Sequence, residues 1–271
     1  MNRFLMLAIA GCVILPAQEK LPPAAAVIDR YIEATGGKAA YEKHQNQIAK
    51  GTLSFPAQGI SGAMTMTMAE PSNTSTKVEI GAIGTMQEGV NGDVAWEVSP
   101  MQGPRIVEGA ERADVLREAR FNAPIHWREQ YSKMETQGVE RVGDDDCIKV
   151  LMTPSDGGHP ETMYFSRKTG LLVKQTGMRA TAMGDFPFES DFSDYRPVDG
   201  VLEPFKTAEK AAGQEIQLTI SSLQFNVDLP PSAFEMPAEI QTLVKKQKAQ
   251  PPERSGSSPA APEQSGTSNP K

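Results

Sequence analysis

The 271-residue sequence predicts a mainly β fold of the α+β class, an antiparallel sheet with helices laid over one face. Three observations carry this. Residues 160–179 hold two apolar runs, Met163 to Phe165 and Leu171 to Val173, around Ser166-Arg-Lys-Thr-Gly170. A five-residue connection ending in Gly reads as a hairpin turn whose last residue is left-handed, a conformation that Gly reaches without steric cost. Short strand-like segments separated by turn residues recur on both sides of that hairpin. Between them, residues 109–121 lose the alternating pattern and take on a helical one.

Taken in order, Pro22-Pro23 opens a helix over Ala24 to Thr35, with Val27, Ile28, Tyr31 and Ile32 at helical spacing and Gly36-Gly37 as its stop. Lys38 to Lys43 makes a further turn. Strands are expected at Gln47 to Phe55, Ile60 to Met68, Thr74 to Ile80, Thr85 to Val90 and Asp93 to Val98, with turns at Pro71-Ser72-Asn73 and Asn91-Gly92. Pro100 to Pro104 reads as a loop. The helix over Gly109 to Phe121 turns Val115, Leu116 and Ala119 inward and leaves Asp114, Arg117 and Glu118 mostly elsewhere. Ile125, Trp127 and Tyr131 belong to a short second helix. Strands then resume at Glu135 to Val142, Cys147 to Thr153, the central hairpin, Asp185 to Tyr195, Val201 to Ala208 and Glu215 to Asn226, with Asp199-Gly200 as a hairpin turn. Pro230-Pro231 leads into a last helix, Ala238 to Lys245.

The ends divide the chain into three parts. Met1-Asn-Arg3, an apolar run from Phe4 to Leu15 and Pro16-Ala17 form the pattern of a secretory leader, residues 1–17. Ile9-Ala-Gly-Cys12 also resembles a bacterial lipobox, which would place an acyl anchor on Cys12, so two processing routes stay open. No other stretch approaches the roughly 20 apolar residues of a membrane span. Residues 18–245 form the folded domain. Residues 246–271, rich in Pro, Ser and Gln, lack the apolar surface to offset ordering entropy and are expected to be disordered.

Chemistry is sparse. The net charge of −7 and the absence of a basic stripe exclude nucleic acid as a partner. Neither a nucleophile elbow, a phosphate-cradling loop nor a metal-binding His-Glu-x-x-His occurs. His44, His126 and His159 are far apart, and Asp144-Asp145-Asp146 reads as an acidic turn. Cys147 reads as a small buried strand residue. One strand is distinctive: Ile60, Gly62, Met64, Met66 and Met68 share a face, and a row of flexible methionines suits either core filling or an adaptable apolar surface.

Tyr31-Ile-Glu-Ala-Thr-Gly-Gly37, Lys50-Gly-Thr52, Tyr164-Phe-Ser-Arg-Lys-Thr-Gly-Leu-Leu-Val173 and Asp194-Tyr-Arg-Pro-Val-Asp-Gly200 together resemble bacterial outer-membrane lipoprotein-sorting-protein-like sequences, the LolA/LolB-like superfamily. The resemblance covers roughly Ala24 to Ile240. It implies a curved antiparallel half-barrel whose concave face is covered by the N-terminal helix and the helical insertion, with a cavity for acyl chains. It also implies no catalytic residues, no metal and no cofactor, and no local motif aligns Arg105, Arg120 or Arg128 with the carriers' gating arginine. The expected role is a non-enzymatic periplasmic or envelope carrier of a lipid, lipoprotein or other hydrophobic ligand, with other envelope proteins as further partners. The alternative is an envelope scaffold with a filled core. Candidate ligand-binding residues are Met64, Met66, Met68, Trp127, Leu116 and Phe188. Intact-mass analysis of the exported protein should give a chain starting near Gln18; a diacylated Cys12 terminus would establish the anchored route instead.

Overall fold

Short alternating segments joined by tight turns leave each strand its sequence neighbour as the natural partner, and the chain follows that rule almost throughout. The computed structural model describes residues 20–249; the leader and the tail beyond residue 249 lie outside the described residues. Two antiparallel meanders result. The first holds β1 (Asn46–Phe55), β2 (Ile60–Ala69), β3 (Asn73–Ile80), β4 (Gly84–Asn91), β5 (Val94–Ser99) and β6 (Gly103–Ile106). The second holds β7 (Tyr131–Val142), β8 (Asp145–Pro154), β9 (Glu161–Ser166), β10 (Leu172–Thr181), β11 (Gly184–Val198), β12 (Val201–Ala211) and β13 (Gln214–Phe225).

The meanders join at the one pairing between sequence-distant strands. β1 runs antiparallel to β13, with Gln47 opposite Phe225 and Ser54 opposite Gln217, and a bulge at Lys50/Gly51. Bulges increase twist and bend a strand, so the junction is also a point of curvature. The result is one thirteen-stranded antiparallel sheet, β6-β5-β4-β3-β2-β1-β13-β12-β11-β10-β9-β8-β7. It forms an open half-barrel with helices on its concave face, as expected.

Helix α1 (Ala24–Ala34) buries Ala24, Val27, Ile28 and Ile32 against Ile148, Val150, Met152, Phe165, Leu172 and Val201 of the second meander. Its end is fixed by α2 (Lys38–Tyr41) and by the β11–β12 turn. The Leu202 N–H donates to Thr35 O (2.8 Å), and the Tyr41 hydroxyl donates to Thr35 Oγ1 (2.8 Å). Gly36 is required here: its φ is +128°, and a Cβ would lie 2.2 Å from Gly200 O. Asp199 and Gly200 both take positive φ (44° and 87°), as a two-residue type I′ hairpin demands. The Gly170 φ of 81° likewise closes the central hairpin.

Three differences from the sequence reading change an element or the domain's extent. Gly103 to Ile106 is a strand, β6, where a loop was expected; as an edge strand it tolerates Pro104, whose missing donor would break an interior ladder. Tyr131 opens β7 rather than lying in a second helix, because α4 (Trp127–Gln130) is a single turn preceded by a 3-10 turn at Ala123–His126. The last helix, α5 (Ala238–Ala249), runs four residues past the expected boundary at Lys245, fully burying Ile240 and packing on β6. Residues 246–249 therefore belong to the folded domain.

Under α1, Glu203 of β12 sits among Tyr31, Tyr41 and Tyr195, and burial pushes its carboxyl up to about 7. A carboxyl raised in the folded state favours the protonated form, so the wild type loses stability as pH rises from about 4.5 to about 7. Glu203→Gln should therefore gain on the order of 2–3 kcal/mol over wild type above neutrality and nothing below pH ~4, because each tenfold change in proton affinity is worth about 1.4 kcal/mol. Denaturant melts at the two pH values check this.

Candidate functional site

The two edges of the sheet, β6 and β7, are consecutive in sequence, so the chain between them must cross the concave opening. Helix α3 (Gly109–Glu118) makes that crossing. Val115, Leu116 and the following Ala119 pack on Val90, Ala95 and Val107, on the first meander's side. The opposite side of the crossing is polar. Asp114, expected on the helix's outer face, is its most buried residue: its Oδ2 accepts the Ala180 N–H of β10 (3.1 Å), and its Oδ1 accepts from Arg117 Nη2 (2.7 Å). Arg117 also reaches Asp156 (2.7 Å), and Arg179 of β10 reaches Glu118 (3.2 Å). The helix meets β10 through hydrogen bonds and ion pairs, which is why its apolar stripe is narrow.

Between α3 and the sheet lies a cavity of about 270 Å³ with Met66, Met68, Thr74, Thr76 and Val115 on its walls, and Glu88, Glu97, Glu111, Glu118 and Arg105 among its polar lining. Arg105, from the unforeseen strand β6, bridges Glu97 (2.5 Å) and Glu111 (2.7 Å). Burial pushes the Glu88 carboxyl up, and Glu97 and Glu118 push it the same way against Arg179 and Arg105. Glu118 is raised by burial too, against its Arg179 partner. Yet 58% of the Glu118 side chain is open to solvent, and Glu88 is exposed as well. These carboxylates therefore line a wet hollow rather than a sealed core.

The expected site residues distribute over several places. Met66 and Met68 line this hollow, and the Met68 sulfur accepts from Gln47 Nε2 (3.5 Å). Met64 lies deeper, in a cluster of strand residues with Val78, Ile80, Leu53, Met86 and Leu218, against which Met66 also packs. Leu116 packs under α3 and reaches an outer depression beside Arg112 and Arg120. Trp127 is elsewhere: it is buried under α4, beside a separate cavity of about 130 Å³ with Ile28, Tyr31, Met152, Phe165 and Leu172. The methionine row and Trp127 therefore do not share one cavity wall.

Phe188 lines a third and larger space, an open depression of about 1060 Å³ with Phe186, Pro187, Ala57, Ala211 and Gly177. Its ring lies across Gly177, where a Cβ would come within 3.0 Å of it, and the Arg179 guanidinium stacks 4.7 Å above it. Arg179 also pairs with Glu209 (2.5 Å), whose other oxygen accepts from Ser190 Oγ (2.9 Å). Nearby, Glu161 accepts from the Tyr131 hydroxyl and from Gln175.

None of these polar residues was expected as a site residue. A signal existed for Glu88: it alternates in phase with Met86 and Val90, and a charge on the dry face of a strand marks a wet interior. His44 stacks on Phe225 (3.8 Å) with Nε2 3.1 Å from Asp199; His126 and His159 lie in other parts of the molecule. Cys147 is fully buried, and burial pushes its thiol up to about 11. Among the described residues no group of side chains is arranged to hold a metal ion.

No family model and no curated protein matches the chain. Solved structures do. A DUF1329 family protein from Desulfovibrio piger superposes with a TM-score of 0.56 at 13% identity, covering 79% of this chain and 98% of that one. A LolA superfamily protein from Nitrosomonas europaea gives 0.55 at 14% identity, with 80% and 99% covered. A domain from Vibrio parahaemolyticus, named for outer membrane lipoprotein sorting, gives 0.52 at 14% identity, with 82% and 99% covered.

Removing the Asp114 carboxylate should leave the Ala180 N–H without its acceptor. Asp114→Ala is expected to cost about 1–3 kcal/mol and to accelerate hydrogen exchange at Ala180, with Asp114→Asn milder on both. The fold revealed by these likenesses is that of the LolA superfamily.

Proposed function

We propose that the protein is a non-enzymatic binding or carrier protein for a hydrophobic ligand, an acyl chain or lipid, in the bacterial envelope. The observation that carries this is the crossing helix. α3 spans a concave sheet without filling the space beneath it, and leaves Met66 and Met68 facing that space. Methionine adapts its shape to variable apolar partners. The open depression beside Phe186 and Phe188 extends the apolar surface along the same sheet. Arg105, the arginine of the hollow, is committed to Glu97 and Glu111.

The envelope setting rests on the leader pattern of residues 1–17, and release or anchoring rests on which processing route is used. A scaffold reading has its own support. The two smaller cavities, about 270 and 130 Å³, fall below the roughly 300–1,000 Å³ usual for ligand pockets. Only displacement of α3 or use of the open depression would admit a long chain.

Burying about 200 Å² of an acyl chain contributes on the order of 5 kcal/mol before association costs, which suits reversible carriage. In delipidated protein, Met66→Asp should weaken binding of a fluorescent fatty acid more than about tenfold. Thr65→Asp, on the other face between Lys50 and Lys77, should leave it unchanged. Absence of any binding to wild type at micromolar concentration would favour the scaffold.

A further inference from the structure

The hairpin tips at the two ends of the half-barrel differ in chemistry. At one end, five successive hairpins cover ten adjacent strands, from β6 round to β10. Their tips read Pro-Met-Gln-Gly (100–103), Gly-Ala-Ile-Gly (81–84), Pro-Ala-Gln-Gly (56–59), Ala-Ala-Gly-Gln (211–214) and Thr-Ala-Met-Gly (181–184). None carries a charge. Charges begin just inside the arc, at Asp185, Lys210 and Glu215. The tips of the opposite end hold Asp93, Asp144, Arg167, Lys168 and Asp199.

Large apolar side chains are exposed at the same uncharged end. Met101 is 92% exposed, Met183 75% and Ile83 43%, each on a different tip. A monomer surface in water gains nothing from holding such groups at its most protruding points. The depression lined by Phe186, Phe188 and Ala211 opens beside this arc. The sixth hairpin at this end, residues 155–160, lies beyond the arc and is polar, with Asp156 on Arg117 and His159 on Asp185.

We propose that this uncharged arc docks on a lipid bilayer, with Met101, Ile83 and Met183 entering the interfacial region. The shape selects a membrane over a protein partner. Nine strand spacings of about 4.8 Å give an arc on the order of 45 Å long and one hairpin deep, a thin rim suited to a planar target. The charge selects a zwitterionic surface: the chain carries a net charge of −7, and the five tips of this arc lack charge. Binding then rests on apolar insertion and depends little on salt. The docking requires no cargo in the hollow, so it stands or falls separately from ligand binding.

The test uses the full chain in a Cys12→Ser background, leaving the fully buried Cys147 in place. An environment-sensitive fluorophore is attached at Met101→Cys or Met183→Cys, and at Asp144→Cys on the opposite end. With phosphatidylcholine vesicles, the arc labels should shift to the blue and be quenched by spin-labelled lipid, while the Asp144 position stays unchanged. The double variant Met101→Asp/Met183→Asp should lower vesicle partitioning more than about tenfold. Its tips are exposed, so an unaltered melting curve should accompany that loss. Equal shifts at both ends would mean tethering by the N-terminal segment and would overturn the proposal. So would no shift at either end, or a blue shift that grows with protein concentration without lipid, which would identify a second copy as the occupant.

Discussion

The architecture depends on one pairing, β1 with β13. Every other strand contact joins sequence neighbours and forms at low loop-closure cost, whereas this one must bring together residues such as Gln47 and Phe225. Once made, it fuses two meanders into a single sheet whose outer edges are β6 and β7. Because those edges are consecutive in the chain, residues 107–130 have to travel from one rim of the curved sheet to the other. Helices α3 and α4 lie across the concave face because the connectivity leaves them no shorter route. The hollow follows from the same constraint: a crossing segment held at both rims need not descend to the sheet's centre.

The hairpins were legible because their turns carry local chemistry. Ser166 to Gly170 and Asp199-Gly200 use residues that reach positive φ, and the register of each hairpin follows from its turn. The resemblance carried by Tyr31 to Gly37 and Asp194 to Gly200 also has a physical basis. Gly36 must sit within van der Waals reach of Gly200, so the helix stop and the β11–β12 turn are coupled across the fold. What the sequence concealed depends on partners distant in the chain. β6 was hidden by Gly103 and Pro104, which read as loop until the strand is known to be an edge. Asp114 looked solvent-facing until Ala180 supplied an N–H for it. Trp127 and the methionine row were expected together because the helical insertion covers the sheet, yet α3 and α4 serve different clusters, and apolar pattern alone cannot distinguish them.

The hollow is not a simple oily slot. Met66 and Met68 share it with Glu88, Glu97, Glu111 and Glu118 against the single Arg105 of its lining. Gathering several like charges is unfavourable, and Glu97 and Glu118 push the Glu88 carboxyl up. The carboxylates stay tolerable because water still reaches them. An occupant that expelled this water entirely would meet the desolvation cost of each unpaired carboxylate.

The two seams of α3 also differ in strength. Towards β4 and β5 the helix buries Val115, Leu116 and Ala119, contacts that water cannot replace. Towards β10 it relies on the Asp114–Ala180 hydrogen bond, the Glu118–Arg179 pair and the Arg117–Asp156 pair. On opening, water takes over both partners of each polar contact, so the net cost is only about 0.5–1.5 kcal/mol per hydrogen bond and less for an exposed pair. Truncating Asp114 is different in kind, since it strands a buried donor while the seam stays shut. The weaker seam is therefore the β10 side, and a widening there would leave α3 with the first meander and open the hollow towards Arg179 and the depression lined by Phe186 and Phe188.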